Sequence, residues 1–125
     1  MATRYYSHGM YADSVLLLEF LLRHMPTNAG LYYELGKAKH AQTDHAAALA
    51  GYQRAVLLGL PDLEVYLYMG QCLIFLRNLP QAASALRNFI ALASADEHYR
   101  SSPLLVRGTH LLQDLVLPQI QVNWE

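Results

Sequence analysis

Two stretches of this chain repeat one another at a fixed distance. Tyr32, Leu35 and Gly36 recur as Tyr66, Met69 and Gly70, and Ala48 and Tyr52 recur as Ala82 and Leu86, each 34 residues on. The same offset taken backwards puts Ser14 at the small position and Leu18 at the large one. A register held through glycine, small and bulky positions together marks a chain built from one stacked supersecondary unit. Its physical content is a helical hairpin. Gly36 and Ala48 are small, so two antiparallel helices can approach closely there, while Tyr32 and Tyr52 fill the space on either side. Thr43-Asp44 makes the turn. One such hairpin cannot bury its apolar face alone, so neighbours are required.

The residues at these positions match the W-x2-L-G and A-x3-F signature of the tetratricopeptide repeat. The fold expected is all-α: three tetratricopeptide-like hairpins, the first shortened, plus a C-terminal capping helix, wound as a superhelix with a concave groove. A single domain over 1–125 is expected, with hairpins at about 3–24, 29–58 and 63–93. In the first, a short helix over 3–10 is closed by Gly9, and a second runs over 12–24, where Val15, Leu18 and Leu22 recur at helical spacing. Pro26 ends it. Helices follow over 29–41, 45–58, 63–76 and 80–93. Asp62 is the expected N-cap of one, and Pro80 suits the first turn of another. Ser94 to Tyr99 is polar and read as loop. Ser102-Pro103 starts the capping helix, 103–117, with Leu104, Leu111, Leu112 and Leu115 on one side; Pro118 ends it, leaving 118–125, with Trp124, as a tail.

Composition narrows the function. Hydrophobic residues are 54% and charged residues only 15%, against roughly 25% charged in an ordinary soluble domain. That excess of apolar surface calls for a protein partner. The formal net charge is -1, and without a basic cluster nucleic acid is not an expected partner. The lone Cys72 gives no disulfide frame and no thiolate metal site. The apolar run Val15 to Leu22 is interrupted by Glu19, so no membrane insertion is expected. No apolar segment follows Met1-Ala2-Thr3-Arg4, and a cytoplasmic location is the default.

Catalytic patterns are missing. The sequence has no G-x-S-x-G, phosphate loop, H-E-x-x-H or paired-cysteine motif. None of His8, His24, His40, His45, His98 and His110 forms an i, i+4 pair, so neither a metal nor a cofactor is expected. Cys72, inside an apolar helix, is read as a buried structural thiol. The expectation is no enzyme.

What remains is surface recognition. In stacked hairpins the first helix of each pair lines the concave face, and offsets of 34 select Tyr6, His40 and Ile74, then Ser7, Ala41 and Phe75, then Tyr33 and Leu67, then Thr3, Lys37 and Gln71. The expected client groove is Tyr6, Tyr33, Lys37, His40, Leu67, Gln71, Ile74 and Phe75, suited to an apolar peptide with polar anchors. Ile74 and Phe75 fit inter-repeat core equally well.

The register resembles a narrower class. Gly9-Met10-Tyr11, Leu35-Gly36 and Gly70-Gln71-Cys72 resemble the SycD/LcrH/IpgC class of type III secretion chaperones, most closely over LLGLPDLEVYLYMGQCLIFLRNLPQAASAL. The resemblance implies a bacterial cytoplasmic chaperone that holds a hydrophobic translocator before export, clamping a client segment in the groove. The Pro61-Asp62-Leu63-Glu64 turn and the short chain also resemble the YscG-type chaperones of the needle subunit, which work with a smaller co-chaperone. A homodimer or such a co-chaperone is expected on the exposed flank of the first hairpin. Lys39 departs from the repeat, standing where an apolar or aromatic residue is usual. A structural adaptor of the same fold in an unrelated assembly is the alternative.

Overall fold

The structure is a computed structural model that describes the backbone of residues 8–123 and the side chains of residues 10–116. It is helical throughout, with no strand among the described residues. The helices are α1 (His8–His24), α2 (Ala29–Ala41), α3 (His45–Leu57), α4 (Glu64–Phe75), α5 (Leu79–Ser94), α6 (Glu97–Arg100) and α7 (Pro103–Asn123). Contacts divide the chain into two compact units, residues 1–61 and 62–125.

In the first unit α2 pairs with both α1 and α3. The α2–α3 crossing depends on the small residues. A Cβ added at Gly36 would stand 2.6 Å from Tyr52 Cδ1 and 3.2 Å from the Ala48 carbonyl oxygen. On the facing helix, a Cβ at Gly51 would meet Gly36 Cα and the Tyr32 carbonyl oxygen, each at 3.1 Å. Gly51 therefore shares the contact that Gly36 and Ala48 announce, although it lies outside the repeated signature. Tyr52, Ala48 and Ala55 are buried behind this crossing.

The second unit repeats the device with different side chains. A Cβ on Gly70 would lie 2.8 Å from Leu86 Cδ2. Leu67, Leu86, Phe89 and Ala93 form its core, and Leu104, Leu105, Leu111, Leu112 and Leu115 of α7 pack on it. Gly108 is what lets α7 close in, since a Cβ there would be 2.9 Å from Phe89 Cδ2.

Both hairpin turns end their first helix identically. Thr43 and Arg77, at equivalent positions, adopt φ of 61° and 64°. Asp44 N–H donates to the Lys39 carbonyl at 3.0 Å and Thr43 N–H to that of His40 at 3.0 Å; Asn78 N–H and Arg77 N–H do the same to Leu73 and Ile74 at 2.9 and 3.0 Å. This is the Schellman pattern, with a left-handed residue satisfying the last carbonyls of the helix. Asp44 then caps α3 by accepting from Ala47 N–H at 3.2 Å.

Several expectations are corrected. Gly9 does not close a short helix: α1 runs through it as one helix from His8, because a single interior glycine costs a helix only about 1 kcal/mol. Of the expected short helix over 3–10, residues 3–7 lie outside the described residues. The N-cap of α4 is Leu63, not Asp62, and no side chain caps it. Residues 97–100 form a helical turn rather than loop, started by Asp96, whose carboxylate accepts from His98 N–H at 2.8 Å. Helix α7 continues past Pro118 to Asn123; proline's fixed φ is helical, and what it forfeits is one backbone hydrogen bond.

Candidate functional site

The first-helix faces of the two hairpins carry the residues singled out by register. On α2, Tyr33 is buried, so the expectation that its side chain lines a client groove is corrected; its ring is tilted against that of Tyr52 with centroids 6.0 Å apart. Lys37 Nζ sits 4.6 Å from the centre of the Tyr33 ring and 3.1 Å from Glu34 Oε1. The ammonium is thus held over the aromatic face while staying substantially exposed, an arrangement that pairs a cation with an apolar platform. His40, one turn on, has Nδ1 3.1 Å from the Tyr52 hydroxyl. Tyr6 lies outside the described residues.

His40 also meets His45 across the turn, ring centroids 5.6 Å apart. Their nitrogens lie within 4.8 Å of one another, close enough for both to reach one ion. A search for histidines four apart on one helix misses this pair, because the Thr43 turn folds the chain back between them. Lys39, the residue that departs from the repeat, is half-buried.

On α4 the same stripe divides by burial. Leu67 is fully buried in the core of its unit, so the expectation that it faces a client is corrected. Gly108 admits α7 closely enough that Leu67 Cδ1 lies 3.6 Å from where its Cβ would be. Ile74 is half-buried against the same core. Gln71 is half-buried, and with its amide oxygen turned toward α7 it accepts from Arg107 Nη2 at 3.1 Å and Nε at 3.3 Å. Phe75 is 66% exposed. The surface of α4 on this stripe is therefore Gln71 and Phe75, with Ile74 at its edge and Arg107 brought in from α7. Arg107 was missed because nothing in a 34-residue register reaches the capping helix.

Cys72 is buried in α4, and burial pushes its thiol up to about 11. A thiol with so little thiolate at neutral pH is a poor nucleophile. Tyr99 holds the start of α4: its hydroxyl accepts from Leu63 N–H at 3.2 Å and donates to the Glu64 carboxylate. Burial, and then the bond to Glu64, push its pKa up to about 12.

The first unit also carries a cleft of about 460 Å³ between α1 and α2, lined by Tyr11, Ser14, Leu17 and Leu18 of α1 and Glu34, Lys37, Ala38 and Ala41 of α2. Beside it, Leu16, Leu17 and Phe20 of α1 are more than half exposed. No described helix is long and apolar enough to cross a membrane.

Solved structures share this helical repeat. The type III secretion translocator chaperone SycD of Yersinia enterocolitica superimposes with a TM-score of 0.82 at 19% identity, over 94% of this chain and 80% of its own. PcrH, solved in complex with the chaperone binding region of PopD, gives 0.81 at 20% identity, over 94% of this chain and 86% of its own. SycD in complex with a peptide of the translocator YopD gives 0.81 at 19% identity, with 94% and 88% covered. The chain is thus an all-helical protein of tetratricopeptide-like fold. No family model matches the sequence, and no curated protein does.

Proposed function

We propose that this chain is a cytoplasmic type III secretion chaperone of bacteria, which binds and masks an apolar segment of a secreted translocator or needle subunit before export. The observation that supports this reading most is the fold shared over 94% of the chain with chaperones solved on translocator segments. The mechanism is stoichiometric rather than catalytic. Lys37 over Tyr33 and the His40–Tyr52 pair offer one recognition face, and Gln71, Ile74 and Phe75 with Arg107 offer another. Tyr33 and Leu67 support these faces from within. Each apolar client side chain buried on them contributes roughly 1.5–3 kcal/mol, so a few anchors make a reversible complex.

Co-expression with translocator or needle subunits should give soluble one-to-one complexes. If neither client is solubilised, the reading fails. Phe75→Asp should weaken the complex without loss of helicity, since that ring is exposed. The structural-adaptor reading would instead show binding to an unrelated assembly and indifference to both clients.

A further inference from the structure

The turn between α2 and α3 does more than reverse the chain. It sets His40, in the last turn of α2, beside His45, the first residue of α3. Their ring centroids are 5.6 Å apart with the planes at 77°, and their ligand nitrogens lie within 4.8 Å of one another. Both residues are half-buried. The backbone between them is tied down at each step. Thr43 N–H donates to the carbonyl of His40 itself, Asp44 N–H closes the turn on Lys39, and the Asp44 carboxylate caps α3 at Ala47. Two helix ends therefore present the imidazoles, so little order has to be gained before one ion can meet both.

We propose that His40 and His45 form a chelating site for a divalent transition cation of the zinc type, bridging the two helices of the hairpin. Imidazole suits Zn2+, Cu2+ and Ni2+, whereas hard cations such as Mg2+ prefer oxygen. Two Zn–N bonds of about 2.0–2.1 Å at a tetrahedral angle hold their nitrogens about 3.4 Å apart. From a separation within 4.8 Å, side-chain rotation has at most about 1.4 Å to close. A ligating histidine normally keeps its other ring nitrogen in a hydrogen bond that fixes the tautomer and the ring plane. His40 has such a bond, from Nδ1 to the hydroxyl of Tyr52 at 3.1 Å, and Tyr52 is itself buried and immobile. With the proton on Nδ1, Nε2 is the ligand, and Tyr52 is a positioning residue. Water takes the remaining places around the ion, as in open sites. The ion thus clips the hairpin without being required to fold it. This site stands on its own, whether or not the chain is a secretion chaperone.

The full chain is titrated with Zn2+ in a non-chelating buffer at pH 7.5 and followed by isothermal titration calorimetry. Saturable binding of one Zn2+ per chain is expected, reversed by EDTA, with no binding of Mg2+. His40→Gln and His45→Gln should each weaken Zn2+ binding at least about tenfold, since each removes one of two chelating ligands. Tyr52→Phe keeps the ring but not the orienting hydroxyl, and should weaken it by about tenfold, the lower end for loss of such a partner. His8→Gln, His24→Gln, His98→Gln and His110→Gln combined should leave it unchanged. Circular dichroism without metal checks that each variant is folded. A readout that needs no variant is the electron paramagnetic resonance spectrum of the parent with one equivalent of Cu2+, where nitrogen hyperfine structure from two imidazoles is expected. A Cu2+ spectrum with one imidazole or none would overturn the proposal. So would parental Zn2+ affinity in folded His40→Gln or His45→Gln, or loss of binding in the combined variant, which would make the metal an adventitious ligand of the other histidines.

Discussion

The hairpins α2–α3 and α4–α5 share a skeleton and differ in what covers it. Their turns make the same backbone hydrogen bonds, and a glycine crosses a bulky residue at the same step. In the first that residue is Tyr52, rigid and tied through its hydroxyl to His40. In the second it is Leu86, within a core of Leu67, Phe89 and Ala93 that α7 seals. At the equivalent positions 33 and 67, a tyrosine lies beneath a cation and a leucine disappears into that core. The register fixes helix geometry, while what packs on each hairpin decides which register positions stay available for recognition.

The sharpest break of this comparison is along α4. Leu67→Ala should cost about 2–5 kcal/mol of stability, the usual range for truncating a buried leucine. Phe75→Ala, two turns on but exposed, should stay within about 0.5 kcal/mol. Urea unfolding followed by circular dichroism measures both. Similar costs for the two would show that Phe75 is covered and that the α4 surface assigned above does not exist.

The glycines come next. Gly36→Ala forces its methyl group against the Tyr52 ring, which has no flexible end to move aside, so a loss of about 1–3 kcal/mol is expected. Gly70→Ala meets Leu86 at Cδ2 and Cγ, 2.8 and 2.9 Å away against 2.6 and 2.7 Å for the two Tyr52 ring carbons at Gly36, and should cost somewhat less. If Gly70→Ala proves the more damaging, α4 is held more rigidly against α5 than α2 is against α3.

These residues also show how much was legible beforehand. Helix positions and the close crossings follow from Gly36, Ala48, Gly70 and Ala82, because a glycine in an otherwise apolar helix has few other reasons to be there. The partition of the recognition stripe does not follow. Leu67 and Phe75 are both apolar and both in register, and only the approach of α7 at Gly108 buries one and spares the other. The His40–His45 pair was hidden for a related reason, since helical spacing rules stop at a turn.

The hairpin entries differ as well. Asn28 caps α2 locally, accepting from Leu31 N–H at 3.1 Å, whereas the start of α4 is held by Tyr99 from far along the chain. With its pKa pushed up to about 12, Tyr99 keeps its proton in the folded state where an unfolded tyrosine, near 10, gives it up. Its contribution is therefore intact below about pH 10 and is lost as pH rises from there toward 12. Tyr99→Phe should flatten this part of the alkaline stability curve relative to the parent. An unchanged slope would mean that the bonds to Leu63 and Glu64 do not hold the entry of α4.

The smallest effects should come from the two turns, where the hairpins are most alike. A non-glycine residue in the left-handed region is strained by roughly 1–2 kcal/mol, and glycine relieves this while adding freedom to the unfolded chain. Thr43→Gly and Arg77→Gly should each raise stability by up to about 1 kcal/mol. Thr43 should gain more, because a β-branched side chain tolerates φ of 61° least. The exposed bond from its hydroxyl to the Gln42 carbonyl offsets only part of that strain. Parallel melting curves of the two variants measure the difference directly. A gain at Arg77 with a loss at Thr43 would show that the first turn depends on its threonine, and that the two hairpins already diverge where their backbones coincide.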